Sequence, residues 1–155
     1  MSMHITVDWH RPIRLRPSKD FIYACETDLI PHAPGVYIFA RMWGVDPIPI
    51  YVGKATDLRV RVMQQMSNNV RLMKGVENAS TGDRNVLIGV LRRRLGVQVA
   101  KAIRTLEDAL IAKFLERGYE LLNDKGTRRP SHHLEFRGNL KCRNLSGRLI
   151  GVRMM

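Results

Sequence analysis

The sequence predicts one mixed α/β domain in which short strands and two longer helices surround a single core. Its 155 residues suit one domain, and 45% of them are hydrophobic, so a real core can form. Segments rich in β-branched and aromatic residues alternate with segments whose apolar residues recur at helical spacing. We expect an N-terminal arm over 1–34, a core over 35–125 and a basic extension over 126–155.

Prolines break up regular structure in residues 1–34, so this segment is expected to be an arm that packs along the domain and not a separate fold. The core then opens with two predicted strands, 35–40 and 48–52, which form a hairpin with a long loop. A helix over about 57–66 follows, with Thr56 or Asp57 as its N-cap. Its core face contains apolar residues four apart: Leu58, Val62 and Met66.

Residues 67–85 are rich in Ser, Asn and Gly and are predicted to be a loop with at most one helical turn. β-Character returns over 86–94, and a helix is expected over 99–117, with Gly118 as its C-terminal stop. In the basic extension, only residues 149–154 have the pattern of a further strand.

Charge indicates a phosphate-bearing partner. The chain carries 26 Lys and Arg against 14 Asp and Glu, a net charge of +12, which favours nucleic acid. Only 6% of residues are aromatic, so contact with the phosphate backbone is expected rather than base stacking. A solvated basic face or an acidic protein partner are the alternatives.

Other classes of protein are disfavoured. No apolar stretch approaches the ~18 residues of a membrane span, and the N-terminus lacks the pattern of a secretion signal, so we expect a cytoplasmic protein without a membrane anchor. Cys25 and Cys142 are far apart, and neither has a neighbour at zinc-ligand spacing.

Glu107 lies within the apolar stripe of the second helix. At about 100° per residue, Ile103, Leu110 and Phe114 share its face. An unpaired buried carboxylate costs several kcal/mol, so such a group is normally matched by a cation, a metal ion or a hydrogen-bond network. A glutamate that reaches the edge of the stripe, or that pairs with Arg104, is the structural alternative.

Arg61 flanks the core face of the first helix, where a guanidinium suits a phosphate clamp. Tyr37 and Tyr51 lie on neighbouring predicted strands, which would bring their hydroxyls to one region. Each has an ordinary structural interpretation: an arginine with a buried stem, and two core tyrosines.

Taken together, these residues resemble the signature of the GIY-YIG nuclease family. Residues 35–37 read GVY and 51–53 read YVG, and Arg61 follows Tyr51 by ten positions. Glu107 on a later helix and Asn123 sixteen residues on are similar to the acidic metal ligand and terminal asparagine of the family. The resemblance covers residues 35–123.

This resemblance implies an α/β (α+β) fold with a small central three-stranded antiparallel sheet flanked by helices. It also implies a Mg²⁺- or Mn²⁺-dependent phosphodiesterase that cuts DNA. It assigns roles to six residues: Tyr37 and Tyr51 line the site, Lys54 and Arg61 hold the phosphate, Glu107 binds the metal, and Asn123 orders the site or a substrate strand.

The general base is less constrained. A tyrosine in water titrates near pH ~10, so it must share its proton with Lys54, Arg61 or a metal-bound water. We favour Tyr51 as the base and Tyr37 as its phosphate-contacting partner, although the reverse is open. Some family members have a histidine one turn after the arginine, where this chain has Gln65, which cannot accept a proton near neutral pH.

The predicted DNA contacts are all basic: Lys54, Arg59, Arg92, Arg93, Arg94, Arg128 and Arg129. Duplex or branched DNA, in repair or restriction, fits the resemblance equally well. A non-catalytic nucleic-acid-binding module that keeps the fold is the alternative function, and an adaptor for an acidic protein is a more remote one. The sequence makes no prediction of oligomeric state.

Overall fold

A computed structural model describes residues 4–44, 46–123, 132–147 and 149–152 of the chain. The fold is mixed α+β, with helices on both faces of a central sheet. The strands in the described ranges are β1 (His4–Trp9), β2 (Ile13–Arg14), β3 (Arg16–Pro17), β4 (Tyr23–Ala24), β5 (Gly35–Trp43), β6 (Asp46–Ala55), β7 (Asp83–Leu91), β8 (His132–Gly138) and β9 (Leu149–Val152). The helices there are α1 (Leu58–Asn68), α2 (Val70–Glu77), α3 (Val99–Glu116) and α4 (Leu140–Ser146), with a 3-10 turn at Thr27–Leu29.

The three predicted strands form an antiparallel set, in which β5 lies between β6 and β7. The expectation of a three-stranded sheet is nevertheless wrong. Within the described residues the sheet has seven strands, with the order β6-β5-β7-β1-β8-β9 and β2 paired to β7. It is also mixed, because β1 and β8 run parallel while the other pairs are antiparallel.

The largest correction concerns the N-terminal arm, which contributes a central strand. In β1, Ile5 and Val7 are buried, Thr6 is buried on the opposite face, and Trp9 packs on Phe136 with ring centroids 5.8 Å apart. The six residues of β1 precede the first proline, so proline never interrupts them. The remainder of the arm adds only two-residue strands and the 3-10 turn.

The helices match the prediction in two cases of four. α1 and α3 lie close to their expected bounds, and the Asp57 carboxylate caps α1 by accepting from the Val60 N–H at 3.1 Å. Residues 67–85 are not a loop, because they contain α2 as well as the end of α1 and the start of β7. The Asn69 side chain caps α2 by accepting from the Leu72 N–H at 3.1 Å, and Leu72, Met73 and Val76 are buried.

The two faces of the sheet have separate cores. One contains α3 and α4 with residues such as Val36, Val52 and Leu106; the other contains α1 and α2 with residues such as Tyr37, Phe39 and Val62. The basic extension supplies β8, α4 and β9, of which the sequence predicted only the last. In the part of the chain that is described, no helix is long and apolar enough to cross a bilayer.

Candidate active site

A cleft opens at one end of the sheet, where the start of β5 pairs with the end of β6 through Gly35 and Ala55. Its volume is about 440 Å³. The lining comes from the end of β6, from the first turns of α1 and from α3: Lys54, Ala55, Thr56, Asp57, Val60, Arg61, Gln64 and Ile103. Two predicted phosphate ligands, Lys54 and Arg61, therefore share one cleft although they lie on different elements.

Tyr37 is buried under this cleft, on the face of the sheet that packs against α1. Only 1% of it is exposed, and its ring crosses Gly53 on the neighbouring strand. A Cβ at Gly53 would overlap the Cζ and hydroxyl of Tyr37. Glycine at position 53 is therefore required by the close approach of the tyrosine, which explains the YVG triplet in steric terms.

A buried amide network fixes the Tyr37 hydroxyl. Gln65 donates from Nε2 to the hydroxyl oxygen at 2.7 Å, and its Oε1 accepts from Asn69 Nδ2 at 2.9 Å. Because Oε1 is engaged, the amide is oriented with its donor toward Tyr37. The sequence marked Gln65 only as a replacement for a base, and its role as a donor is new.

Burial raises the pKa of Tyr37 to about 12, partly offset by the hydrogen bond from Gln65 and by Arg61. At neutral pH the hydroxyl therefore keeps its proton. With its oxygen accepting from Gln65, Tyr37 is suited to donate a hydrogen bond and poorly suited to accept a proton.

Tyr51 lies beside Tyr37, as predicted, with ring centroids 6.4 Å apart, and it is half-buried. The register shifts next to it, because Phe39 pairs with Tyr51 but Ala40 pairs with Pro49. This bulge leaves Ile50 without a partner in register. Bulges of this kind redirect side chains and occur often beside functional sites.

Glu107 is buried in α3, with 5% of its surface exposed. Its Oε1 lies 4.0 Å from Lys54 Nζ, which is itself 39% exposed toward the cleft. The prediction that this carboxylate is buried in the apolar stripe is confirmed. Lys54 thus connects the buried acid with the cleft that Arg61 lines from the other side.

Asn123 binds backbone and not the cleft. Its Oδ1 accepts from the Val52 N–H at 2.9 Å, and its Nδ2 donates to the Val52 carbonyl at 2.7 Å. The preceding residue, Leu122, donates its N–H to the Ile50 carbonyl at 2.8 Å. Asn123 therefore completes the outer edge of β6 on both sides of Tyr51 and acts on the site by positioning that strand.

Two of the predicted DNA contacts, Arg59 and Arg92, are engaged by other groups of the protein. Arg59 donates to the carbonyls of Ile30 and Asp28 at 2.7 and 3.3 Å, so it holds the 3-10 turn and is left out of the contact surface. Arg92 makes a bidentate pair with Asp8, at 2.7 and 3.1 Å, which raises its pKa further.

Arg93 and Arg94, by contrast, are exposed. Arg128 and Arg129 lie outside the described residues. Of the predicted basic contacts that the structure describes, Arg93 and Arg94 are therefore the most exposed. Lys54 and Arg92 are exposed to a similar extent, 39% and 38% of their side chains, and Arg92 is paired with Asp8.

The cleft also contains an acid–histidine pair that the sequence did not predict. His32 Nδ1 lies 2.9 and 3.1 Å from the two carboxylate oxygens of Asp57, a lining residue of the cleft. The hydrogen bond from His32, together with the one from the Val60 N–H, lowers the pKa of Asp57. The sequence gives no sign of this pair, because the two residues are joined only by the fold.

Comparison with protein-family models, curated proteins and solved structures finds no match for this chain. Among the described residues, no three His, Cys, Asp or Glu side chains come close enough to form a metal cluster. A divalent ion at Glu107 would therefore have at most two such ligands from the described part of the protein, which suits a hydrated Mg²⁺ that keeps several waters.

The raised pKa of Tyr37 predicts a loss of stability at alkaline pH. Between pH ~10, where an unfolded tyrosine titrates, and about 12, where Tyr37 titrates in the fold, the folded chain holds a proton that the unfolded chain has released. The contribution of Tyr37 to the free energy of unfolding is complete below the unfolded pKa of ~10. It is lost as the pH rises from there through the folded pKa. Tyr37→Phe should therefore reduce the alkaline slope of the free energy of unfolding, by up to about 1.4 kcal/mol per pH unit.

Urea unfolding of both proteins at several values between pH 9 and pH 12 would measure the slopes. An unchanged slope in Tyr37→Phe would show that other groups dominate the alkaline transition.

Proposed function

We propose that the protein is a metal-dependent DNA endonuclease of the GIY-YIG type. The observation that supports this best is the composition of the cleft: Lys54 and Arg61 line it together, and the buried Glu107 carboxylate lies 4.0 Å from the lysine. A phosphodiesterase needs cations for the phosphate oxygens and an anchored carboxylate for a divalent ion, and this end of the sheet supplies both.

Lys54 and Arg61 bind the scissile phosphate. They approach from β6 and from α1, so the phosphate is held from two sides. Arg61 offers a planar fork that can bond two non-bridging oxygens. The charge that develops on these oxygens in the transition state is thereby stabilised by groups already in place.

The two tyrosines have different tasks. Tyr37, with a pKa of about 12 and only 1% of its surface exposed, stays protonated and supports the site through its hydroxyl, which Gln65 holds in place. Tyr51, half-buried beside it, is the tyrosine left to accept a proton. The alternative is that a divalent ion held by Glu107 would supply the basic group, in which case Tyr51 would orient the attacking water.

Glu107 holds the divalent ion. A bound Mg²⁺ or Mn²⁺ supplies charge for the leaving 3′ oxygen and lowers the pKa of its water. Asn123 keeps β6 in register at Val52, so Tyr51, Gly53 and Lys54 hold their positions relative to β5.

Cleavage of supercoiled plasmid tests the proposal. The purified full chain is incubated with Mg²⁺, with Mn²⁺ or with EDTA, and the nicked and linear products are quantified. We expect nicking that requires a divalent ion. DNA binding without cleavage, on plasmid and on branched or nicked duplexes alike, would instead favour a non-catalytic binding module.

Two arginines two residues apart in α1 provide a matched comparison. Arg61→Ala should lower turnover by about 10²- to 10³-fold, because a preorganised cation is lost from the transition state. Its effect on binding should be much smaller. Arg59→Ala should lower the melting temperature, because Arg59 holds the carbonyls of Ile30 and Asp28.

Single-turnover cleavage, equilibrium binding and thermal unfolding of both variants would separate these roles. If Arg61→Ala reduced affinity and turnover equally, Arg61 would be a docking contact and not part of the catalytic machinery.

A further inference from the structure

The turn that follows β7 displays a leucine to solvent. Leu95 is fully exposed, at 104% of its reference area, and it directly follows Arg93 and Arg94, which are also exposed. Single exposed leucines are common on protein surfaces. This one is unusual because an arginine pair precedes it and because its backbone is held in place.

Two sets of hydrogen bonds hold that backbone. At its base, the Arg92 N–H donates to the Thr6 carbonyl at 2.9 Å, and its guanidinium is paired with Asp8. At its tip, the Val97 N–H donates to the Arg94 carbonyl at 3.3 Å, which closes a four-residue turn. Gly96 has a φ of +83°, as a type II turn requires at its third position. Leu95 is the second residue of this turn and so forms its tip.

This turn lies at the end of the sheet that holds the cleft. Gly35 pairs with Ala55 on one side and with Val90 on the other, so β6 and β7 finish together. The chain from Leu95 to the start of α3 spans at most ~14 Å, and α3 rises ~6 Å more to Ile103, a lining residue of the cleft. Leu95 is therefore within ~20 Å of Ile103, which is about six base pairs of duplex at ~3.4 Å each.

We infer that Leu95 is a wedge that inserts between base steps of DNA bound in the cleft, while Arg93 and Arg94 contact the phosphates beside it. This inference rests on the proposed nuclease function and deepens it. The arginines select a polyanion, and stacked DNA is a polyanion that also offers an apolar interior to a short side chain. Proteins that kink duplexes use apolar wedges flanked by basic residues in this way.

The wedge also predicts a substrate class. Insertion requires partial unstacking, which costs least where the duplex is already mismatched, nicked or branched. The protein should therefore prefer locally distorted DNA over uniform duplex, with the distortion a few base pairs from the cut. Leu95 would set this preference without contacting the reacting atoms.

Fluorescent base analogues test the insertion directly. Duplexes carrying 2-aminopurine at successive positions are bound in EDTA by the full-length wild-type protein, Leu95→Ala, Leu95→Phe and Leu95→Lys. We expect fluorescence to rise at one step with wild-type protein and with Leu95→Phe, and to stay flat with Leu95→Ala. Affinity of Leu95→Ala should fall about tenfold, the loss typical of one inserted or stacked side chain.

Leu95→Lys separates insertion from charge: it should bind phosphate at least as well as wild type and yet give no fluorescence rise. Leu140→Ala is the matched control, because Leu140 is 61% exposed on α4 and should behave as wild type. Equal fluorescence and affinity for wild type and Leu95→Ala would overturn the wedge. If wild type and Leu95→Ala also cut plasmid at the same rate, the proposed nuclease function would be kept and only the wedge would be rejected. Failure of wild-type protein to bind any DNA would overturn both proposals.

Discussion

Glu107→Gln should abolish metal-dependent cleavage while leaving DNA binding intact or slightly tighter. Glutamine keeps the shape of the side chain, which matters because position 107 is 95% buried in α3 and the residues around it are close-packed. It removes the negative charge that would hold a divalent ion. We expect a loss of about three orders of magnitude in turnover, since metal-ion stabilisation contributes several kcal/mol and each ~1.4 kcal/mol is tenfold in rate.

Binding should respond in the opposite direction. Loss of one negative charge beside Lys54 makes the cleft more positive, so affinity for phosphate is kept or increased. Glu116→Gln is the control, because Glu116 is exposed near the C-terminal end of the same helix. Cleavage rate as a function of Mn²⁺ concentration, together with binding in EDTA, would distinguish the two effects. A Glu107→Gln protein that cuts at the wild-type rate would disprove the metal assignment.

Arg84→Met should produce the largest loss of stability. The Arg84 guanidinium donates to five backbone carbonyls, those of Val76, Glu77, Ala79, Ser80 and Gly82, at 2.5 to 3.2 Å. Two of these belong to the last turn of α2, where carbonyls have no partner within the helix and a cation is favourable. One side chain thus replaces water for three of the five carbonyls in the connection from α2 to β7, those of Ala79, Ser80 and Gly82.

Methionine keeps much of the apolar stem and removes every donor. Because several charge-assisted bonds are lost together, we expect about 3 kcal/mol of destabilisation, or a melting temperature lower by roughly 6–12 °C. Arg71→Met is the control, since Arg71 is exposed on α2. Thermal and urea unfolding of both variants would measure the difference. Equal stability of Arg84→Met and wild type would show that water replaces the guanidinium without cost.

Local sequence patterns were sufficient to predict the strands and helices that position the candidate site. The β-branched runs of β5, β6 and β7 and the apolar spacing of α1 and α3 are visible within short windows. The burial of Glu107 followed from the same helical spacing, because its neighbours on that face are apolar. The closeness of Tyr37 and Tyr51 required only that neighbouring strands pair.

The sequence did not predict the elements that are stabilised by residues far away along the chain. β1 is six residues long, and its partners lie in β7 and β8, far away in sequence, so its pattern alone resembled a loop. α2 contains Gly75 amid a polar stretch, yet that glycine lies against Leu122, where a Cβ would leave too little room. The two bonds of Asn123 to Val52 depend on where the chain returns after α3, which no local pattern encodes.

The central position of β1 determines the order in which the sheet can be completed. β1 joins β7 on one side and β8 on the other, and its Trp9 donates to Ser146, 137 residues away in sequence. On a ribosome, β5, β6 and β7 can pair as soon as they emerge, whereas the far edge of β1 waits until β8 has been synthesised. Contacts of such long range slow folding, so a nascent chain should pass through a stage in which the half that contains the candidate site is formed and one edge of the sheet is still unpaired.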